Sequence, residues 1–124
     1  VSDRPRVLVV DDSNLVLQWT RDTLETAGFE VAVAKDIYVA PLVRRFDPQI
    51  ILMDVAIGTQ KGTVATQALR ATDIAPNARI VLFSSKTASE LAALATSCGA
   101  DGWLQKTDDA VAFTNAVRGF LPRA

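Results

Sequence analysis

Asp11 and Asp12 close the apolar run Val7-Leu8-Val9-Val10, and Asp54 closes a second run, Ile50-Ile51-Leu52-Met53. Runs of this kind, rich in Val and Ile, read as buried strands, and acids are costly to bury unless paired or bound to a cation. The three acids therefore predict one shared pocket at the ends of two strands, with a divalent metal as its natural occupant. Ser84 follows the apolar stretch Arg79 to Phe83, and Lys106 follows Asp101 to Gln105. The same sheet edge would then carry three carboxylates, a hydroxyl and an ammonium. Magnesium (or manganese) takes oxygen ligands and keeps several waters, so one or two carboxylates plus a phosphate suit it. A carboxylate is also a nucleophile toward phosphorus, giving an aspartyl phosphate. A metal, a lysine and a hydroxyl around a transferring phosphoryl group stabilise the charge on its oxygens.

These residues share an edge only if the elements alternate correctly. Arg6 to Val10 reads as a first strand, and Asn14 to Ala27 as a helix capped by Ser13 and stopped by Gly28. Phe29 to Ala34 is a second strand. Asp36 to Phe46 is helical in pattern but holds Pro41, which is cheap only in a first turn, so this helix starts late or is irregular. Gln49 to Asp54 is the third strand, Val55 to Gly62 a loop, and Thr63 to Thr72 the third helix. Arg79 to Phe83, Thr87 to Ser97, Asp101 to Gln105 and Asp108 to Phe120 complete the strand–helix alternation. Such alternation implies an α/β fold with a parallel sheet between helices, and ligands on such sheets bind at the carboxyl ends of the strands.

Composition narrows the chemistry. The chain has 124 residues, 49% of them hydrophobic and 22% charged, as expected of one globular domain with a real core. A net charge of −1 argues against nucleic acid as a partner. The absence of histidine removes Ser-His-Asp triads, Cys-His dyads and His-ligated zinc. Cys98 is alone, so no disulfide framework exists, and its expected role is packing. No apolar run approaches the roughly 18–20 residues that span a bilayer. Val1-Ser2-Asp3-Arg4-Pro5 has no signal-peptide character, so no membrane association and a cytoplasmic location are expected. The start at Val1 reads as processed or trimmed.

Four stretches together resemble a known family: Val9-Val10-Asp11-Asp12-Ser13, Asp47-Pro48-Gln49-Ile50-Ile51-Leu52-Met53-Asp54, Ile80-Val81-Leu82-Phe83-Ser84-Ser85 and Gly99-Ala100-Asp101-Gly102-Trp103-Leu104-Gln105-Lys106. In register with the strands, they resemble the receiver domain of two-component response regulators, in the manner of the single-domain chemotaxis regulator. The resemblance covers essentially the whole chain, 1–124, as a single receiver domain. It implies a flavodoxin-like, doubly wound (βα)5 three-layer sandwich with a parallel five-stranded sheet of order 2-1-3-4-5. It also implies roles. Asp54 would accept a phosphoryl group from a phosphohistidine on a partner histidine kinase or phosphotransfer protein. Asp12 would ligate magnesium directly and Asp11 largely through water, with Asp54 and the backbone carbonyl of Ala56 completing the protein ligands. Ser84 and Lys106 would bind phosphoryl oxygens. Ser84 and Trp103 would switch the surface of helix four, strand five and helix five, which a downstream protein reads. On this reading the chain is a signalling module and not an enzyme in the ordinary sense.

Several positions depart from the family pattern. Thr107 stands where a proline in a cis bond usually follows the lysine. A cis bond before a non-proline costs about 2.5–4 kcal/mol, so this loop is either rebuilt in trans or strained. Gly58 replaces a frequent proline, which predicts a looser acceptor loop. Trp103 is bulkier than the usual aromatic, and its indole N–H wants a partner when buried. Ala56 and Lys86 occupy the two positions that tune phosphoryl lifetime, and neither helps an attacking water, which predicts slow self-dephosphorylation.

Each residue alone also has an ordinary reading. Asp11 and Asp12 could be acids at a helix N-terminus. Asp54 could be a loop acid, Ser84 a strand terminator, Lys106 a solvated lysine, and Trp103 and Trp19 packing residues. Two other functions stay open. A magnesium-dependent phosphatase with Asp54 as nucleophile usually needs a second acid two residues on, where this chain has Ala56. A pseudo-receiver would keep the fold as an interaction module without phosphorylation.

Overall fold

The computed structural model describes residues 3–122. Val1, on which the reading of a trimmed start rests, lies outside them. In chain order the elements are β1 (Arg6–Val10), α1 (Asn14–Thr26), β2 (Glu30–Ala34), α2 (Ala40–Phe46), β3 (Ile50–Met53), β4 (Ala56–Ile57), β5 (Gln60–Lys61), α3 (Gly62–Ala71), β6 (Arg79–Ser84), α4 (Ala88–Cys98), β7 (Gly102–Gln105) and α5 (Ala110–Gly119). Five strands form a parallel sheet of order β2-β1-β3-β6-β7. This is the expected 2-1-3-4-5 order of a flavodoxin-like fold. β4 and β5 form a separate antiparallel pair.

The central strands are apolar along their interiors because both sheet faces are covered. Leu8, Val10, Ile51, Met53, Ile80 and Leu82 point into a core closed by Val43 of α2, Ala65 and Leu69 of α3, and Leu91 and Ala95 of α4. Val7, Val9, Ile50, Leu52, Val81 and Phe83 point to the opposite core, closed by Leu17 and Leu24 of α1 and Phe113 and Val117 of α5. Alternate side chains thus fill opposite layers. Among the described residues no helix is long and apolar enough to cross a membrane.

The helix starts follow local chemistry. The Ser13 hydroxyl accepts the Val16 N–H at 3.3 Å, that of Thr87 accepts the Glu90 N–H at 3.2 Å, and Asp109 Oδ1 accepts the Ala112 N–H at 3.0 Å. α2 begins at Ala40 rather than Asp36, with Pro41 in its first turn. Upstream, Asp36 Oδ1 accepts the Tyr38 N–H at 2.9 Å and makes a turn instead of a helix.

The stretch Val55 to Gly62 is not the open loop its sequence predicts. Ala56 pairs with Lys61 and Ile57 with Gln60, and Gly58 turns the chain at φ 60°. Nor is Gly58 left untethered, because its N–H donates to Asp12 Oδ2 at 2.7 Å. A proline there would have no N–H to give. The hairpin then runs straight into α3, where the Gly62 N–H donates to the Val55 carbonyl at 2.8 Å. A Cβ on Gly62 would lie 1.8 Å from the Asp54 carbonyl oxygen and 3.0 Å from Met53 Cγ. Only glycine lets the start of α3 pack this closely on the end of β3.

Gly62→Ala is therefore expected to push α3 off the end of β3. Urea denaturation should show a loss of about 2 kcal/mol or more, the range of an overpacked buried site. A loss below about 0.5 kcal/mol would contradict the close approach.

Candidate functional site

Parallel register decides where the acids meet. Val10 of β1 is level with Met53 of β3, so the next residues, Asp11 and Asp54, emerge side by side. The Asp54 N–H donates to the Val10 carbonyl and the Asp11 N–H to that of Ala34, each at 3.0 Å, which extends the ladder past both strands. The order β2-β1-β3 reverses direction at β1, so this crevice is the topological switch point of the sheet. Ligand oxygens of Asp11, Asp12 and Asp54 lie within 4.8 Å of one another. Asp11 and Asp54 are buried, and Asp12 is exposed.

Lys106 enters from the end of β7. Its N–H donates to the Ser84 carbonyl at 2.8 Å, which ties the chain after β7 to the end of β6. Its Nζ lies 2.8 Å from Asp11 Oδ2 and 3.6 Å from Asp54 Oδ2, with the Phe83 ring centroid 5.8 Å away. Every peptide bond among the described residues is trans, Lys106–Thr107 included. Of the two outcomes open for this loop, it is the trans chain that aims the lysine into the acids. Thr107 contributes locally, since its hydroxyl accepts the Asp109 N–H at 3.1 Å just ahead of α5.

The pocket is dense in negative charge. Burial and the neighbouring Asp11 charge push the Asp54 carboxyl above the usual carboxylate range, while Lys106 and the amides of Ala56 and Val55 offset part of the rise. Asp11 Oδ1 accepts the Ser13 N–H at 2.9 Å. Asp11 Oδ2 is buried and accepts no aligned hydrogen bond, although the Lys106 ammonium stands beside it. Three carboxylates gathered around one ammonium offer an all-oxygen donor set, which fits a hard divalent cation such as magnesium.

The remaining candidates surround this centre. Ser84 is buried at the end of β6, and its Oγ accepts the Lys86 N–H at 3.2 Å. Ala56 begins β4, two residues past Asp54. Lys86 reaches along α4, with Nζ 3.9 Å from Glu90 Oε2. Trp103 stands apart from the acids, half-buried against the core under α2, α3 and α4. Sequence reasoning missed three contributors: the Ser13 amide on Asp11, the Gly58 amide on Asp12, and Gln105, whose Nε2 donates to the Lys86 carbonyl at 3.0 Å. The first two are backbone groups and carry no side-chain signature. Gln105 is a lone polar residue that reads as an ordinary strand end.

Comparison with known proteins matches this picture. The family model "Response regulator receiver domain" matches residues 7–118. The chain is 32% identical over 117 residues to the photosynthetic apparatus regulatory protein RegA of Rhodobacter capsulatus, covering 94% of this chain and 62% of that protein. It is 30% identical over 121 residues to the DNA-binding response regulator MtrA of Mycobacterium tuberculosis, covering 97% of this chain and 52% of the relative. The chain thus spans roughly half to three fifths of the length of these two relatives. Among solved structures, the chemotaxis response regulator CheY4 of Vibrio cholerae superposes with a TM-score of 0.86 at 26% identity, covering 95% of this chain and 99% of that one.

The raised Asp54 carboxyl has a consequence for stability. A folded-state value above the unfolded one means that the folded protein binds the proton more tightly. Stability then falls as pH rises from the ordinary value of 3.8 through the raised one, and stays reduced above it. With chelator present, Asp54→Asn is expected to raise Tm at pH 7 by roughly 2–6 °C, the shift that about 1 kcal/mol produces in a domain of this size. The gap should close as pH falls toward 4. Thermal unfolding across pH checks this, and a variant less stable than wild type at pH 7 would contradict it.

Proposed function

Because the chain belongs to the response regulator receiver domain family, we propose that it is a phosphoacceptor signalling module in which Asp54 takes a phosphoryl group from a phosphohistidine on a partner histidine kinase or phosphotransfer protein. One observation carries the reading: Asp54 stands at the switch point beside Asp11, with the Lys106 ammonium facing both carboxylates. The carboxylate oxygen of Asp54 attacks phosphorus in line. The new O–P bond forms as the P–N bond to the imidazole breaks, and that bond pair stays with the leaving nitrogen. Lys106 Nζ needs only a small shift from its acidic partners to reach a phosphoryl oxygen. The Ser84 hydroxyl, at the end of the neighbouring strand, donates to another. Asp11, Asp12, Asp54 and the Ala56 carbonyl would hold magnesium (or manganese), which neutralises charge on the equatorial oxygens when bound.

Output follows from the same residues. On this reading Ser84 leaves the Lys86 amide for the phosphoryl group, and Trp103 answers by changing its packing against α4. The surface of α4, β7 and α5 is then the one a downstream protein reads. This is a population shift between two surfaces, driven by contacts made only in the phosphorylated state. The module is not itself an enzyme, and we take residues 1–124 as one receiver unit that serves the activity of a larger regulator or acts through direct protein contacts. Lifetime is set locally. The methyl of Ala56 carries no polar group, and the Lys86 ammonium is drawn toward Glu90. Neither orients a water for attack, so the aspartyl phosphate should be long-lived.

The test is intact-mass measurement after incubation with magnesium and acetyl phosphate, followed through donor removal. Wild type is expected to gain a single phosphoryl adduct that Asp54→Asn does not. The adduct should decay more slowly than that of a chemotaxis-type receiver under matched conditions. No adduct, with no response to beryllofluoride, would leave a pseudo-receiver. Sustained release of phosphate would point to a phosphatase, and decay as fast as the chemotaxis protein would remove the lifetime argument.

A further inference from the structure

The geometry points to the Gly58 backbone amide as the positioning group for Asp12, so that the β4–β5 hairpin holds the exposed carboxylate in place for a divalent cation. This rests on the metal-dependent reading above and deepens it. The three acids do not have equal support. Asp11 is buried, with Oδ1 on the Ser13 amide and Oδ2 beside Lys106. Asp54 is buried and lies within reach of the same lysine. Asp12 is exposed, and it stands close to two like-charged carboxylates. Its partner is the Gly58 N–H, 2.7 Å from Oδ2.

That contact has the properties of a positioning bond. It is short and charge-assisted, in the range of the stronger hydrogen bonds. It takes one lone pair of Oδ2 and leaves the rest of the carboxylate able to bind a metal. It is present in the same geometry that brings oxygens of all three acids within 4.8 Å. It also depends on residue 58 having an amide proton and a left-handed backbone, at φ 60°. Holding the carboxylate in advance removes the rotamer freedom that coordination would otherwise have to freeze. The bond further couples metal occupancy to the hairpin, because a cation that fixes Asp12 also fixes the turn at Gly58.

Replacing the residue-58 amide by an ester (glycolic acid in place of Gly58) deletes the N–H without adding a side chain, at the cost of a weaker acceptor at the Ile57 carbonyl. Calorimetric titration with magnesium chloride should show a dissociation constant weaker by roughly 5- to 10-fold, the scale of one solvent-facing charge-assisted hydrogen bond. Gly58→Asn retains the N–H and tolerates this backbone, and open space surrounds the position; its affinity should stay within about twofold of wild type. Equal or tighter binding by the ester would overturn the proposal, because the bond would then be idle or competing. Amide exchange in unmodified protein gives a second check: the Gly58 N–H should exchange more slowly with saturating magnesium, and faster exchange would overturn the proposal. Absence of magnesium binding in wild type would overturn this proposal and the metal-dependent phosphoacceptor reading together, whereas binding that ignores the ester would overturn this one alone.

Discussion

Two carboxylates on adjacent parallel strands, in register and buried, are the constraint around which this molecule is built. Strands of a sheet lie about 4.8 Å apart, and the pairing of Val10 with Met53 leaves Asp11 and Asp54 no way to separate along the chain. Two like charges at about that distance repel by roughly 3 kcal/mol at an effective dielectric of about 20. Burial adds its own penalty, seen in the raised proton affinity of Asp54. Lys106 answers with one positive charge at 2.8 and 3.6 Å. With Asp12 included, the three acids outnumber the Lys106 ammonium, and these four side chains carry about two negative charges in excess. A bound divalent ion would relieve an excess of this kind.

Much of the surrounding structure aims that single cation. The chain after β7 is fixed to β6 by the Lys106 amide, and Gln105 ties the end of β7 to Lys86 just ahead of α4. Thr107 then turns the backbone into α5 through the Asp109 amide, with every bond trans. On the other side, Gly62 lets α3 press against the Asp54 carbonyl and closes the hairpin whose turn meets Asp12. The far end of the sheet has its own fastening. Arg70 of α3 pairs with Asp101, whose Oδ2 also accepts the Ile80 N–H at 2.7 Å, so the entry to β7 is pinned to the start of β6. The position of Lys106 is thus referenced to the sheet at both ends of its strand.

What the sequence disclosed and what it hid divide along side chain and backbone. The strands were legible because burial on both faces writes an uninterrupted apolar run, as in Ile50-Ile51-Leu52-Met53. The acids and Lys106 were legible because charged residues at the ends of such runs are conspicuous. The hairpin at Ala56–Ile57 and Gln60–Lys61 was not, because two-residue strands are too short to show a period. The expectation of a loose turn at Gly58 reasoned from a missing proline ring. What mattered was the N–H that a proline lacks. Gly62 read as a loop end, since close approach of backbone to backbone leaves no pattern in the residues around it. The late start of α2 was partly visible in Pro41, but the competing turn at Asp36 was not.

The central claim is that this pocket holds excess negative charge which a divalent cation relieves. The most direct measurement is Tm as magnesium is titrated into the metal-free protein at neutral pH and constant ionic strength. A cation that binds the folded chain and not the unfolded one must raise Tm in proportion to the logarithm of its concentration once the site is saturated. The expected result is such a rise, abolished when Asp11 and Asp12 are both replaced by Asn. A Tm that ignores magnesium would contradict the claim.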